Sequence, residues 1–245
     1  MRLSIPIGRR RFTPSLWMTA LRALAIVAFI GLGRWQWHRG VAKDVVWREF
    51  LATSGPAAPL GARTLASLPR FTRIQLQGEY DGTHQFLLDN RTLEGAAGYE
   101  VLTPLRLEDG RWVLVNRGWV PFSGYRDRLP DIALANAGEA VTVTGRVDTL
   151  PVEGMESGRA PPAAGAAWPK VTTFPHAGEL AAALGHPIEG GQLLLDPPVA
   201  GGYIRHWKAP GVPPERHYSY AVQWWLFAAT VAVLYGILNL HKVNR

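Results

Sequence analysis

The chain has 245 residues, a formal net charge of +7, a pI near 10.0 and no cysteine. Without cysteine, disulfides, thiolate metal sites and a Cys nucleophile are excluded. The excess charge points away from nucleic acid, because it is not spread over a folded surface: residues 1–40 hold seven Arg and no acidic residue, and such a cluster is a flank rather than a binding face.

Residues 1–15 form a basic arm with Arg2, Arg9, Arg10 and Arg11. An apolar segment follows from Leu16 to Trp37 (16–37). About 20 helical residues cross a ~30 Å hydrocarbon core, so this segment is predicted to span a membrane. A cleaved signal peptide is the rival reading, but GRWQWHRG follows with no small-x-small site. Trp35 and Trp37 suit an interfacial aromatic belt, and Arg22 must snorkel toward the headgroups. Val41 to Ala52 is expected to extend the helix with a mixed face, and Ser54 to Ala62 to be a breaker-rich loop.

The domain across 38–216 reads as one mainly antiparallel β unit. Alternation predicts strands at Phe71–Asp81, Gln85–Leu93, Tyr99–Leu107, Arg111–Pro121 and Ala140–Thr149. Asp109-Gly110 marks a hairpin between two of them. Pro151–Pro169 reads as a loop, Lys170–Phe174 and Gln192–Asp196 as short strands, and Glu179–Gly185 as a helix with Gly at its exit. A second apolar segment, 217–240, has no charged residue from Tyr218 to Leu240. A tail, 241–245, carries Lys242 and Arg245. The fold class is thus a membrane protein, α+β, with two transmembrane helices flanking one outer β domain. Basic flanks place both termini in the cytoplasm and the central domain in the periplasm, at the plasma (inner) membrane.

Catalytic signatures such as HExxH, GxSxG and the Walker loop are absent from the sequence. His84, His176, His186 and His206 are scattered without metal-ligand spacing. Asn116, Arg117, Gly118 and Trp119 interrupt an apolar strand. They read either as a bulge with Arg paired to a carboxylate or as a partner-docking edge. His217 opens the second span and shares a helical face with Tyr220 and Trp224. Topology brings Trp35, Gln36 and His38 to the same depth. Imidazole is an axial ligand for haem iron, aromatic rings suit the macrocycle, and Arg34, Arg39 and Arg216 suit propionates. The same residue types also serve as plain interfacial anchors.

Four blocks in order resemble the Surfeit-locus family of cytochrome c oxidase assembly factors: GRWQWHRG leading to Lys43; GEYD (78–81) with Asn90-Arg91 and Gly98-Tyr99; VLTPL through VLVNRGWVP (101–121); and HYSYAVQWW from His217. The resemblance implies two transmembrane helices around an outer domain and a non-enzymatic role in maturing haem–copper oxidase. It implies that haem a is held transiently, with His217 as the iron ligand, and is passed to the oxidase catalytic subunit. Haem A synthase and membrane lipid are the further partners. The alternative is a scaffold that stabilises oxidase subunits without touching haem. His38 is a second candidate ligand, placed there by depth alone rather than by the resemblance.

Overall fold

The computed structural model describes residues 5–8, 10–52, 55–135, 137–152 and 158–242. Arg2, Arg9 and Arg245 of the basic flanks, Ser54 and residues 153–157 of the predicted loops lie outside the described residues. In chain order the elements are β1 (Ile5–Ile7), β2 (Arg10–Phe12), α1 (Leu16–Ala52), β3 (Ala58–Pro59), β4 (Arg73–Tyr80), β5 (Phe86–Leu93), β6 (Ala96–Leu107), β7 (Trp112–Pro121), β8 (Ala140–Asp148), β9 (Lys170–Thr172), α2 (Ala177–Leu184), β10 (Gln192–Leu195), α3 (Pro214–Asn239) and β11 (Leu240–Lys242). They form two compact units, Met1–Leu51 with Ala209–Arg245, and Ala52–Lys208.

The first unit is a helix pair. Both α1 and α3 are long and apolar enough to cross a membrane. Trp17, Leu24, Val27, Leu226, Val233 and Ile237 are exposed on them, as apolar residues are on helices solvated by lipid. The helix of the predicted first span runs on past Trp37 into the expected Val41–Ala52 extension, so α1 is one helix of 37 residues. No proline interrupts that stretch, and the i,i+4 pair Asp44–Arg48 at 2.6 Å supports it. At ~1.5 Å per residue α1 is ~55 Å long, well beyond a ~30 Å core. α3 starts at Pro214, before the predicted 217, because proline suits the first helical position. The helices run antiparallel: Gly40 meets Tyr218, Gly33 meets Trp225, and Thr19 Oγ1 lies 2.9 Å from the hydroxyl of Tyr235. The start of α1 and the end of α3 therefore lie at one end of the pair. There β2 pairs with β1 and with β11, matching Arg10 with Lys242 and Arg11 with His241. This small sheet was not legible as strands in a short basic arm.

In the second unit the predicted strands form in the predicted places, within a residue or three at each end. Their sheet runs β3-β4-β8-β10-β7-β6-β5-β9, and β4 also pairs with β6. Five strands, β4, β8, β10, β7 and β6, therefore close on themselves. The closure uses the C-terminal end of β6, where Leu105, Arg106 and Leu107 pair with Tyr80, Glu79 and Gly78. The N-terminal half of β6 continues the sheet outward to β5 and β9. The closed part is filled by Ile74, Leu76, Leu105, Val113, Val115, Val143, Val147, Leu193 and Leu195, all buried. α2 lays Leu180 against Phe86 and Leu88 of β5, Leu102 of β6 and Leu114 of β7, and Gly185 ends it in the left-handed conformation, φ 80°. The Asp109-Gly110 turn joins β6 to β7 as predicted, with Gly110 at φ 85°.

Candidate functional site

The helix pair is built by exchange of small and large side chains. Gly33 and Gly40 lie seven residues apart on α1, and Trp225 and Tyr218 lie seven apart on α3. A Cβ at Gly33 would stand 2.3 Å from Trp225 Nε1, and one at Gly40 would stand 2.6 Å from Tyr218 Cε1. Each glycine is the hole into which a ring fits. Ala221 and Ala228, also seven apart, are the buried small residues of α3. A spacing of seven on both helices is the repeat of left-handed helix pairing. Trp37 packs beside Tyr218 (ring centroids 4.8 Å) and Trp225 (5.8 Å). Phe29 stacks on Trp224 at 5.7 Å and touches Phe227 at 5.9 Å.

Within this frame His217 Nδ1 lies 2.9 Å from Gln36 Oε1. An amide oxygen only accepts, so with Oε1 turned to the ring the contact is a hydrogen bond in the tautomer that carries its proton on Nδ1. Nε2 then keeps its lone pair, and no hydrogen-bond partner for it is found among the described residues. His217 is half-buried. Gln36 follows Leu16 by 20 residues, or ~30 Å of helix, which is the thickness of the hydrocarbon core.

The other predicted residues divide around this pair. Trp224 is tied to Phe29, whereas Tyr220 is 49% exposed. Trp35 is 54% exposed and holds the Arg39 guanidinium 6.0 Å from its ring centre. Arg34, Arg39 and Arg216 are exposed. His38 is exposed too, and it stands two residues after Gln36, about 200° around the helix at 3.6 residues per turn. It shares the depth of His217 but not its side of the pair. Gly33, Trp37, Gly40, Tyr218 and Trp225 were not singled out from the sequence as a set. The matched spacing of two glycines and two rings was the signal that marks them.

No group of three or more His, Cys, Asp or Glu is placed to hold a metal among the described residues. A metal already held by a macrocycle needs only an axial ligand, and the chemistry of a half-buried imidazole with Nδ1 engaged and Nε2 free is compatible with that role. Flat aromatic faces and exposed guanidinium groups stand at the same level.

The Asn116–Trp119 block lies in the β unit and faces inward. Asn116 and Arg117 are buried, and Trp119 is partly exposed. Arg117, 2% exposed, donates from Nε to Gly201 O (2.6 Å) and from Nη1 to Gln85 Oε1 (2.9 Å), and its guanidinium lies 4.9 Å from the centre of the Tyr203 ring. No carboxylate pairs with it among the described residues, contrary to the expected ion pair. Burial pushes its pKa below the ordinary guanidinium value, against the opposing effect of Tyr203 and Tyr80. Asn116 Nδ2 donates to Glu100 Oε2 (2.7 Å) and Gln192 Oε1 (3.1 Å), and Asn116 Oδ1 accepts from Gly118 N (3.1 Å). Arg117 O accepts from Tyr203 N (2.7 Å), and Trp119 N donates to Ile204 O (2.8 Å). The block staples the segment after β10 onto β7, and of its side chains Trp119 alone is partly exposed.

The sequence model of the SURF1 family matches residues 23–229. A SURF1-like protein of Dictyostelium discoideum is 41% identical over 115 residues, covering 41% of this chain and 42% of that protein, so the chain matches less than half of that relative's length. Uncharacterized SURF1-like proteins of Mycobacterium tuberculosis and Mycobacterium bovis are each 28% identical over 234 residues, covering 91% of this chain and 82% of theirs.

Proposed function

The chain belongs to the SURF1 family, and on that premise we propose that it is a haem a carrier for the assembly of haem–copper cytochrome c oxidase. The family is one of oxidase assembly factors rather than of enzymes. In this reading His217 receives haem a at the outer edge of the membrane and passes it to the catalytic subunit, with haem A synthase as the source. The observation that carries the reading is the His217–Gln36 hydrogen bond of 2.9 Å, which leaves Nε2 as an uncommitted ligand at the end of the span. Arg34, Arg39 and Arg216 supply charge for the propionates. One half-buried axial ligand suits a carrier, since cargo held from one side at the bilayer edge can leave sideways.

Orientation follows from charge. Arg10, Arg11, His241 and Lys242 share one end of the antiparallel pair. In our reading this basic end is the cytoplasmic one and the β unit is periplasmic, as the positive-inside rule supports.

The test is the absorbance spectrum and extracted pigment of the full chain, purified from cells that also make haem A synthase, wild type beside His217→Ala. Wild type is expected to carry haem a and the variant to lose it. If neither carries haem while both are folded and membrane-inserted, the protein is a scaffold for oxidase subunits instead.

A further inference from the structure

We infer that Gln36 is the positioning residue of this site: it selects the tautomer of His217 that presents a bare Nε2, and it does so without charge. The inference takes its purpose from the haem reading, but its first measurement does not need haem.

A neutral imidazole carries its proton on either ring nitrogen, and the hydrogen bond made by one nitrogen sets the role of the other. At His217 the partner is Gln36 Oε1, which has lone pairs and no proton to give. The Nε2–H tautomer would set two acceptors, Nδ1 and Oε1, against each other at 2.9 Å. The structure therefore favours Nδ1–H. The geometry is held from both helices. Gln36 sits between Gly33 and Gly40, the two positions that receive Trp225 and Tyr218, and His217 precedes Tyr218. The pairing of the helices thus fixes how far the amide stands from the ring.

The chemistry of the partner matters as much as its position. Metal-bound histidines commonly donate to a carboxylate, which draws the proton and makes the ring a stronger ligand. An amide orients the ring equally well but adds no negative charge. The ligand is then defined in direction and moderate in strength, as release requires.

The experiment starts from the full chain without haem, labelled with 15N-histidine in detergent micelles. The nitrogen shifts of His217 are expected to report a protonated Nδ1 and a bare Nε2. Gln36→Leu is expected to move the ring toward protonated Nε2, and Gln36→Glu, which keeps an acceptor, to restore Nδ1–H. Haem a is then titrated into each form. Gln36→Leu is expected to bind roughly 10–100-fold more weakly. Gln36→Glu is expected to bind with a lower reduction potential and to give up haem to apomyoglobin more slowly. An unchanged tautomer in Gln36→Leu, with tryptophan fluorescence showing the helix pair intact, overturns the inference whatever haem does. An equal potential in Gln36→Glu and wild type overturns the part assigned to charge. A shifted tautomer with no haem binding by wild type leaves Gln36 as the positioning residue and defeats the carrier reading instead.

Discussion

Gly40 on α1 is the cavity for the ring of Tyr218 on α3: a Cβ there would stand 2.6 Å from Tyr218 Cε1 and 2.9 Å from Cδ1. The ring has little freedom to yield, because Trp37 covers it at 4.8 Å. Gly40→Val is therefore expected to separate the helices and cost about 1–3 kcal/mol, the usual range for overpacking. His217 is adjacent to Tyr218 in the chain, so the same substitution should lengthen its hydrogen bond to Gln36. Thermal unfolding of the purified chain in detergent measures the first effect. The His217 nitrogen shifts measure the second. A stability equal to wild type would mean that the rings do not depend on the glycine.

Gly118 makes a stricter demand. Its φ of 111° is open to glycine and strained for other residues. A Cβ there would also stand 2.7 Å from Ile204 O, a backbone atom already bonded to Trp119 N. Relief requires the 203–205 segment to leave β7. Gly118→Ala is expected to cost roughly 2–6 kcal/mol, combining backbone strain with overpacking. Amide hydrogen exchange should show Tyr203 and Trp119 losing protection together. Loss at only one of them would argue against a single staple.

Arg117 is held by groups from separated parts of the chain: Gln85 in the turn before β5, Thr103 on β6, Ile132 O, Gly201 O and the Tyr203 ring. Lysine would keep the charge but not the fork of donors. Arg117→Lys is expected to lower stability by about 1.5–3 kcal/mol, the range for a hydrogen bond to a charged group. Gln85→Leu should lose stability as well and should couple to it, because Gln85 Oε1 accepts from both Arg117 and Thr103. Denaturant titration of the two single variants and the double variant measures the coupling. Additive losses would dissolve the network into independent contacts.

Local pattern explains what the sequence revealed. Strands β4 and β8 alternate because one face packs inward, β6 and β7 are apolar runs buried on both faces, and Asp109-Gly110 supplies its own turn, so each is written in neighbouring residues. The closing of five strands is not written that way. It depends on three residues at the end of β6 meeting β4, and on β10 joining β7 in parallel and β8 in antiparallel. At the helix pair, charge and length brought His217 and Gln36 to one depth. Depth says nothing of rotation, which is why His38 looked equivalent to Gln36 although it lies on another side of α1. The rotational phase was carried by the matched intervals Gly33–Gly40 and Tyr218–Trp225. Arg117 read as half of an ion pair or as part of a docking edge because its partners, 85, 103, 132, 201 and 203, are contiguous only after folding.

Tyr80 gives the β unit a pH dependence of defined sign. Its side chain is 4% exposed, and its hydroxyl has no hydrogen-bond partner among the described residues. Burial pushes its pKa up from 10.0 to about 12, against the pull of Arg117 and Arg205 toward the phenolate. The unfolded chain releases this proton near pH ~10. Between there and about pH 12 the folded state binds one proton more than the unfolded state. Stability must then fall as pH rises, by about 1.4 kcal/mol per pH unit, and about 2–3 kcal/mol is lost across the window. Tyr80→Phe has no proton to lose there, so its stability should be flatter between pH 9 and 11.5 than that of wild type. At neutral pH it should be at least as stable as wild type, because removing an unpaired buried hydroxyl relieves a desolvation cost of about 1–3 kcal/mol. Urea unfolding followed by tryptophan fluorescence, for both proteins across that range, gives the comparison. Parallel curves would show that the hydroxyl is solvated in the folded state. Lower stability of Tyr80→Phe at neutral pH would show that the hydroxyl has a partner after all, with Arg117 and Arg205 the nearest cations to supply it.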